Sequence, residues 1–285
     1  MNKIAIYILP ALILLLFGIM SCSSSHKKTP ADLGWKMGVQ AWTFRHFTFF
    51  QAVNKVNKLG LHYVEAYPGQ KIGGNVKGKM GYGLDKTARR KILQHLKKEN
   101  VKLIAYGVTT PKTHAQWDSL FAFAKMMGIK NITSQPPKDQ LAYVSQLCNK
   151  YDINIAIHNH PKPSPYWSPD TLLAAIHSLK KPNPHIGACA DVGHWVRSGL
   201  NPVKSLKKLA GHIIELHMKD VNKISPQAKD TVWGTGVCNV KGIIKEMHRQ
   251  NFKGLFSIEY ESYPDSNMSQ IRKSLDYFND VVAQQ

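Results

Sequence analysis

The chain has 285 residues, of which 43% are hydrophobic, and this is enough apolar material for one large core. Its formal net charge is +20, because 38 Lys and Arg residues outnumber 18 Asp and Glu residues. Such a charge favours DNA, anionic lipid or acidic glycans, but the basic residues are scattered and form no stripe with aromatic residues. We therefore expect no nucleic-acid partner. The four cysteines contain no Cys-x-x-Cys pair, which excludes a zinc ribbon.

The N-terminal segment has the pattern of a targeting signal. Lys3 precedes an apolar run, Ile4–Met20, that is short for a membrane-spanning helix. The ending Ile19-Met20-Ser21-Cys22 resembles the lipobox of bacterial lipoproteins, and this resemblance implies cleavage before Cys22 and diacylation of its thiol. An ordinary secreted protein is the alternative. We expect a signal peptide at 1–21, a polar tether at 22–34, and a lipid-anchored protein on the periplasmic side of the cell envelope or on the outer membrane.

The remaining residues, 35–285, alternate between strand-like apolar runs and amphipathic helical segments. Eight such pairs in about 250 residues favour a closed (β/α)8 TIM barrel, a single domain of the α/β class, over an open doubly wound sheet. A glycine-rich insertion, Gly69–Gly83, is predicted to be too flexible for helix or core. The predicted strands are Lys36–Phe44, Tyr63–Tyr67, Val101–Thr109, Asn131–Gln135, Ile153–His160, Ile186–His194, His212–Met218 and Gly254–Tyr260.

Acidic and imidazole side chains stand at the ends of four successive predicted strands. In a barrel of parallel strands these ends open on one face, where active sites are built. Oxygen and imidazole ligands suit one divalent ion such as Mn²⁺, Zn²⁺ or Mg²⁺. The pattern predicts an enzyme with a metal ion in the barrel mouth. The residues are His158 and His160, Asp191, His217 and Glu259.

Several motifs together resemble the sugar phosphate isomerase/epimerase family, which has the xylose isomerase-like TIM barrel fold and also contains type IV apurinic endonucleases. The resemblance covers about Lys36 to Phe278. A nuclease is disfavoured because Gln135 ends strand four and no further ligand clusters occur. The motifs are Gly38-Val-Gln-Ala-Trp-Thr-Phe44, Val64-Glu65-Ala-Tyr67, His158-Asn-His160, Ala190-Asp191-Val-Gly-His194-Trp, Leu216-His217-Met-Lys219-Asp220, Trp233-Gly-Thr-Gly236 and Ser257-Ile-Glu259-Tyr-Glu261.

The resemblance implies a metal held by Asp191, His217 and Glu259. The family has a Glu on strand five, where this chain has His158; a neutral imidazole is also an excellent ligand, so we expect His158 as the fourth. Loss of the metal is the alternative. The family epimerases use two glutamates as paired acid/base groups, so the replacement changes the base or its protonation range.

Further roles are expected for residues near the predicted mouth. We expect Glu259, His160, Glu65 and Lys219 to be catalytic. Three roles stay open for Glu65: binding a sugar hydroxyl, acting as a base, or pairing with a nearby lysine. Substrate binding is expected for His194 and for three aromatic residues, with ordinary barrel packing as the alternative for the aromatics. These are Trp42, Tyr106 and Trp233.

These residues predict a divalent-metal-dependent sugar isomerase/epimerase-like enzyme that abstracts a proton beside a carbonyl of a small carbohydrate or keto-sugar. Two alternatives are a keto-glycoside lyase or hydratase on the same barrel and a non-catalytic sugar-binding barrel. If His158 or His160 is the base with the ordinary histidine pKa of about 6.5, the rate should fall near pH ~6–7. A homo-oligomer is left open.

Overall fold

The computed structural model describes residues 27–285, so the predicted signal peptide and Cys22 lie outside the described residues. Within this part, eight parallel strands close into a barrel in the order β1, β2, β5, β6, β7, β8, β9, β10. This confirms the predicted single-domain (β/α)8 fold. The strands are β1 (Lys36–Gln40), β2 (Tyr63–Ala66), β3 (Lys71–Gly73), β4 (Val76–Lys79), β5 (Lys102–Thr109), β6 (Asn131–Ser134), β7 (Asn154–His158), β8 (Ile186–Asp191), β9 (Ile213–Met218) and β10 (Leu255–Ile258).

Helices surround the barrel and begin at well-formed caps. The side chain of Thr48 caps α1 in a reciprocal capping box with Gln51, and Ser168 does the same for α5. Asn201 caps α7 ahead of Pro202, as the Asn-Pro pair predicts. The helices are α1 (Phe49–Lys58), α2 (Lys86–Lys98), α3 (His114–Met127), α4 (Leu141–Tyr151), α5 (Pro169–His177), α6 (Val192–Arg197), α7 (Pro202–Lys208), α8 (Val240–Arg249) and α9 (Met268–Val282), with 3₁₀ turns at Ala41–Phe44 and Lys138–Gln140.

Side chains alternate along each barrel strand between the outside and the inside of the barrel. The protein therefore has two buried regions of different character. Outward-facing apolar side chains pack against the helices, as where Trp35 and Phe278 contact Phe256 with ring centroids 4.8 and 5.3 Å away. The inward-facing side chains of the bore are largely polar instead. They include Glu65, Asn131, Thr133, Glu215 and Ser257, all buried. The polar bore leads upward to the carboxyl ends of the strands.

The glycine-rich insertion differs from its prediction. Part of it forms an antiparallel hairpin, β3 and β4, and Ile72 from this hairpin is fully buried in the core. Gly73 and Gly74 make the tight connection with positive φ values of 93° and 56°, which glycine adopts without strain. The expectation that this segment is too flexible to join the core is therefore wrong for the hairpin.

The N-terminal boundary also differs in detail. Residues 29–34, predicted as the end of the tether, form a hydrogen-bonded turn, and Leu33 packs into the hydrophobic core. The first strand ends at Gln40 rather than at Phe44, because the Gln40 side chain accepts a hydrogen bond from Trp42 N and starts a 3₁₀ turn. Among the helices of residues 27–285, none has the length and apolar character needed to cross a membrane.

Candidate active site

The candidate site lies at the carboxyl ends of β7, β8, β9 and β10. Because successive residues of a strand point to opposite sides, Glu215, His217 and Lys219 point the same way, into the bore. The same rule brings Asp191 at the end of β8 and Glu259 just after β10 toward them. All of these side chains are buried. The structure therefore brings together strand ends that are far apart in the sequence.

Four buried atoms converge at this point and have no hydrogen-bond partner among the described residues. They are His158 Nε2, Asp191 Oδ2, His217 Nδ1 and Glu259 Oε2. The four residues offer ligand atoms that all lie within 4.8 Å of one another. A buried polar atom without a partner is costly and calls for an explanation. Two imidazole nitrogens and two carboxylate oxygens fit a divalent ion.

Lys219 lies directly beside this cluster. Its Nζ is 2.8 Å from Glu259 Oε2, 3.0 Å from Glu261 Oε2 and 3.3 Å from Asp191 Oδ2. Glu261 is also paired with Arg197 Nη1, 3.0 Å away, so Asp191 and Glu259 are the acids that remain closest to the four converging atoms.

His217 is held from below by a carboxylate. Its Nε2 donates to Glu65 Oε2 at 2.8 Å, and the opposite ring nitrogen, Nδ1, faces Glu259. Glu65 also accepts hydrogen bonds from Thr133 Oγ1 at 2.7 Å and Ser257 Oγ at 2.9 Å. This arrangement of carboxylate and histidine fixes the tautomer of a metal-binding imidazole.

A second buried acid, Glu215, completes the network in the bore. Its carboxyl group lies 2.5 Å from Thr133 Oγ1, whose single proton goes to Glu65, and it accepts from Asn131 Nδ2 at 2.7 Å. Burial and the neighbouring Glu65 raise the pKa of Glu215 to about 7. Glu215 is therefore largely neutral below about pH 7.

Burial and charge act in opposite directions on the ionisable groups. Burial opposes the charged form of Asp191 and of Glu259, but the Lys219 ammonium holds the pKa of Asp191 well below its ordinary value. Lys219 and His217 likewise lower the pKa of Glu259. Burial also opposes the Lys219 ammonium, yet Asp191 and Glu259 hold the pKa of Lys219 well above its ordinary value. The acids and the lysine are therefore charged together.

Three histidines at the site, His158, His160 and His194, are neutral because burial lowers their pKa values. Burial lowers the pKa of His160 to about 4, and the neighbouring His158 adds to this effect. Burial also lowers the pKa of His158 and holds the pKa of His194 well below its ordinary value. The ring of His160 lies 4.5 Å from that of His158 and 5.4 Å from that of His194, centroid to centroid. A neutral imidazole next to a metal site can accept a proton.

The site opens into a cavity of about 480 Å³, within the usual range for small-molecule sites. His160, His194 and Glu259 form part of its wall, as predicted from their strand-end positions. Trp42 is 40% exposed at the rim and packs edge-on against Tyr67 at 5.0 Å. The lining residues are Gln40, Trp42, Tyr67, Pro68, Gly107, Val108, Thr110, Gln135, His160, His194, Glu259 and Glu261. Trp42 is thus placed where an aromatic platform for a sugar was expected.

Three predicted contacts with substrate are not supported by the structure. Glu65 is fully buried beneath His217, so it reaches neither a substrate nor a lysine in this arrangement. Tyr106 packs edge-on against Phe123 of α3, at 5.4 Å, on the outside of the barrel. Trp233 is buried and lies 5.8 Å from Phe278 of α9. Both rings therefore have the packing role that was the alternative.

Other residues at the site were not singled out from the sequence. Glu261 pairs with Lys219 and also accepts from Arg197 Nη1 at 3.0 Å, while Arg197 Nη2 donates to Asp230 at 2.7 Å. Gln135 lines the cavity, although only its place at a strand end was noted. The spacing of Glu259 and Glu261 gave a signal for Glu261, because residues two apart beyond a strand share one side.

Comparison with known proteins agrees with this geometry. Residues 53–281 match the family model described as the xylose isomerase-like TIM barrel, and the chain belongs to this family. A crystal structure of an uncharacterised protein from Parabacteroides distasonis ATCC 8503 is 37% identical, covers 87% of this chain and 99% of that chain, and has a TM-score of 0.70. The family and fold are thereby established.

More distant relatives have named activities or ligands. The IOLI protein, whose crystal structure holds a zinc atom, is 15% identical with a TM-score of 0.69, covering 87% of this chain and 98% of that chain. At this identity the likeness shows the fold alone. Inosose dehydratase from Clostridium botulinum (strain Eklund 17B / Type B) is 34% identical over 89 residues, or 26% of this chain. The chain spans only 30% of the dehydratase in that match.

Proposed function

We propose that the protein is a divalent-metal-dependent enzyme that abstracts a proton from a carbon beside the carbonyl of a sugar or keto-sugar. The observation that carries this proposal is the convergence of four buried ligand atoms, from two histidines and two acids, next to a cavity that contains a neutral histidine. Membership of the xylose isomerase-like family supports the same class of chemistry. An isomerase or epimerase is the first candidate.

His158, Asp191, His217 and Glu259 would hold the ion. When bound there, a divalent ion polarises a carbonyl and an adjacent hydroxyl and makes the neighbouring C–H more acidic. The identity of the metal among Mn²⁺, Zn²⁺ and Mg²⁺ is left to experiment.

The proton-transfer roles follow from where each side chain lies. His160 lines the cavity and is neutral above about pH 4, so it can take the proton from carbon. Glu259 directly follows β10, which is separated from the strand of His158 by β8 and β9, so it faces the substrate from another side. Lys219 remains charged and, although it does not line the cavity, its Nζ lies 2.8 Å from Glu259 and keeps that acid ionised.

The cavity favours a sugar without a phosphate group. Its described lining residues include the carboxylates of Glu259 and Glu261 but neither Lys nor Arg. A phosphate dianion would meet these carboxylates without a matching cation on the cavity wall. Trp42 instead offers an exposed ring at the rim for the C–H face of a sugar. The proposed substrate is therefore a small neutral carbohydrate.

A lyase or dehydratase is the second candidate because it shares the first step. After proton removal, return of the proton to the neighbouring carbon gives isomerisation, and return to the same carbon from the other face gives epimerisation. Expulsion of a hydroxyl or alkoxyl group from the adjacent carbon gives elimination, with the proton transferred to that leaving group. The local match to an inosose dehydratase favours this branch.

The test measures hydrogen–deuterium exchange in D₂O at the carbon beside the carbonyl of ketoses, aldoses and 3-keto glycosides. The proteins are wild type, Glu259→Gln, His160→Gln and the control His62→Gln, which changes an exposed histidine at the other end of the barrel. Metal content is measured for each protein and for His217→Ala. Loss of exchange in Glu259→Gln and His160→Gln, with metal retained in His160→Gln, supports the proposal.

Exchange that proceeds equally in all four proteins would show that these side chains are not the acid/base groups. Equal metal content in wild type and His217→Ala would remove the assigned metal site. A filled metal site without exchange on any of these sugars would move the interpretation to a sugar-binding barrel without turnover. Product analysis of an exchanging sugar then separates isomerisation, epimerisation and elimination.

We also propose that the protein is anchored in the cell envelope by a lipid on Cys22, on the periplasmic side or at the outer membrane. The support is the sequence alone: the apolar run Ile4–Met20 followed by Ser21 and Cys22. This location fits a substrate without phosphate, since phosphorylated sugars are mainly intracellular.

A further inference from the structure

We propose that the active-site cavity continues into a second subsite and that the substrate is a glycoside of at least two units. This inference rests on the proposed function. A neighbouring cavity of about 410 Å³ shares Thr110 and Gln135 with the active-site cavity, so the two form one groove. Its lining residues are Thr110, Lys112, Gln135, Pro136, Pro137, Lys138, Pro165 and Tyr166.

The residue between the two cavities is fixed in place. Gln135 Nε2 donates to the carbonyl oxygen of His158 at 3.1 Å and to Ser164 Oγ at 2.6 Å. Because both hydrogen bonds use the amide nitrogen, the amide oxygen remains an acceptor at the junction. The same residue therefore links the wall of the groove to the strand that carries His158.

The floor of the second cavity is also rigid. The hydroxyl of the buried Tyr166 donates to the carbonyl oxygen of Pro136 at 2.5 Å, and Pro137 follows directly in the chain. Two consecutive prolines have fixed φ angles and little conformational entropy to lose when a ligand binds. The cavity is thus held open by the protein itself.

The far wall is held by two glutamine side chains. The backbone N–H of Lys112 donates to Gln116 Oε1 at 2.7 Å, and Gln140 Nε2 donates to the carbonyl oxygen of Lys112 at 2.7 Å. Trp117 Nε1 in turn donates to Gln140 Oε1 at 2.6 Å. These bonds place the exposed Lys112 at the rim of a preformed surface.

The chemistry of this second cavity suits a sugar ring. Pro136, Pro137 and Pro165 provide apolar surfaces for C–H groups, while Thr110 and Gln135 provide polar groups at one edge. Lys112 and Lys138 offer donors at the other edge, and the described lining residues include no carboxylate. The reacting keto-sugar would lie beside His160 and Glu259, and the second sugar would lie beyond Gln135.

The experiment compares a 3-keto-hexose with a disaccharide in which the same 3-keto-hexose is linked to glucose. Exchange of the carbon-bound proton in D₂O gives kcat/KM for both sugars with wild type and with Lys138→Trp, which places a bulky ring in the second cavity. Lys91→Trp, at an exposed lysine on α2, is the matched control. We expect wild type and the control to favour the disaccharide by at least about 10-fold, and Lys138→Trp to bring this ratio close to 1.

Equal kcat/KM for the two sugars in wild type, or an unchanged ratio in Lys138→Trp, would overturn the second subsite. If neither sugar exchanges, the reacting unit is not a 3-keto-hexose, and calorimetric titration of the same sugars still tests the subsite. Tighter binding of the disaccharide that is lost in Lys138→Trp then supports the groove. Equal binding of the two sugars contradicts it.

Discussion

The role of a residue in the bore depends on the layer in which its side chain lies and on what that side chain contacts. Glu65 ends a predicted strand and was expected at the substrate, yet its carboxylate lies one layer below and contacts His217. This contact fixes the ring of His217 so that Nδ1 faces Glu259, 3.0 Å away. Glu65 is therefore a positioning residue, and its effect should appear in metal binding before it appears in any chemical step.

We expect Glu65→Gln to weaken binding of Zn²⁺ or Mn²⁺ by roughly 10–100-fold, because second-layer partners of metal-binding histidines contribute on this scale. Isothermal titration of metal-free protein measures the effect. Glu246→Gln is the matched control, since Glu246 is also buried but pairs with Arg249 at the end of α8 and with Gln250 just beyond it. Unfolding curves of the metal-free proteins separate loss of affinity from loss of structure. Unchanged affinity in Glu65→Gln would exclude the positioning role.

The pH dependence of proton transfer follows from the environment of His160. Burial and His158 lower its pKa to about 4, so the basic form persists from neutral pH down to that value. The rate should therefore fall as the pH drops through about 4, and not near pH 6–7 as an ordinary histidine would give. Exchange rates from pH 3.5 to 8, with metal content followed at each pH, check this. A half-maximal rate near pH 6.5 with full metal content would contradict it.

At the scale of the elements, the periodicity of apolar residues predicts the barrel strands well. It does not predict which way a side chain faces where a strand is irregular or where the chain forms a long loop. On β9, the run Ile213–Met218 alternates regularly, and its inward side could be assigned from the sequence. On β5, the register shifts between Tyr106 and Thr109, so alternation no longer tells which side a residue faces. Trp233 lies in a long loop without any period. Tyr106 and Trp233, at these positions, pack against α3 and α9.

The hairpin formed by β3 and β4 shows a second limit of prediction from the sequence. Glycines suggested flexibility, but Gly73 is required by a close approach to α1. An added Cβ would lie 2.6 Å from Thr48 Oγ1, and the φ of 93° is unfavourable for other residues. The sequence alone cannot separate a glycine that allows motion from one that allows contact, because the difference lies in the neighbouring helix.

We expect Gly73→Ala to lower the free energy of unfolding by about 1–3 kcal/mol, from backbone strain and displacement of the α1 cap. Urea unfolding followed by circular dichroism measures this change. Gly83→Ala is the control within the same insertion, since nothing lies within 4 Å of its added Cβ and its φ is not in the positive region. If the two variants unfold at the same urea concentration, the hairpin does not depend on this contact.

For the whole molecule, the net charge and the N-terminal segment bear on where the protein is held in the cell more than on how it folds. The net charge of +20 is carried by scattered lysines and arginines, and the polar site in the barrel has the opposite sign, with Asp191, Glu259 and Glu261 close together. A basic surface near an anionic membrane would hold the protein weakly by electrostatics alone. Such attraction is screened within about 10 Å at 0.1 M salt.

Lipid anchoring should resist the salt that removes electrostatic attraction. We expect the full-length chain, expressed in a bacterium that processes lipoproteins, to stay in the membrane fraction in about 0.5 M NaCl, where charges more than a few ångströms apart are screened. Cys22→Ser removes the thiol that would be acylated, so most of this variant should move to the soluble fraction at the same salt concentration. Cys148→Ser is the control, because Cys148 is buried within the barrel. Mass spectrometry of the N-terminal peptide identifies the acyl chains directly. If Cys22→Ser remains with the membrane in high salt as fully as wild type does, the lipid anchor is wrong and another contact holds the protein there.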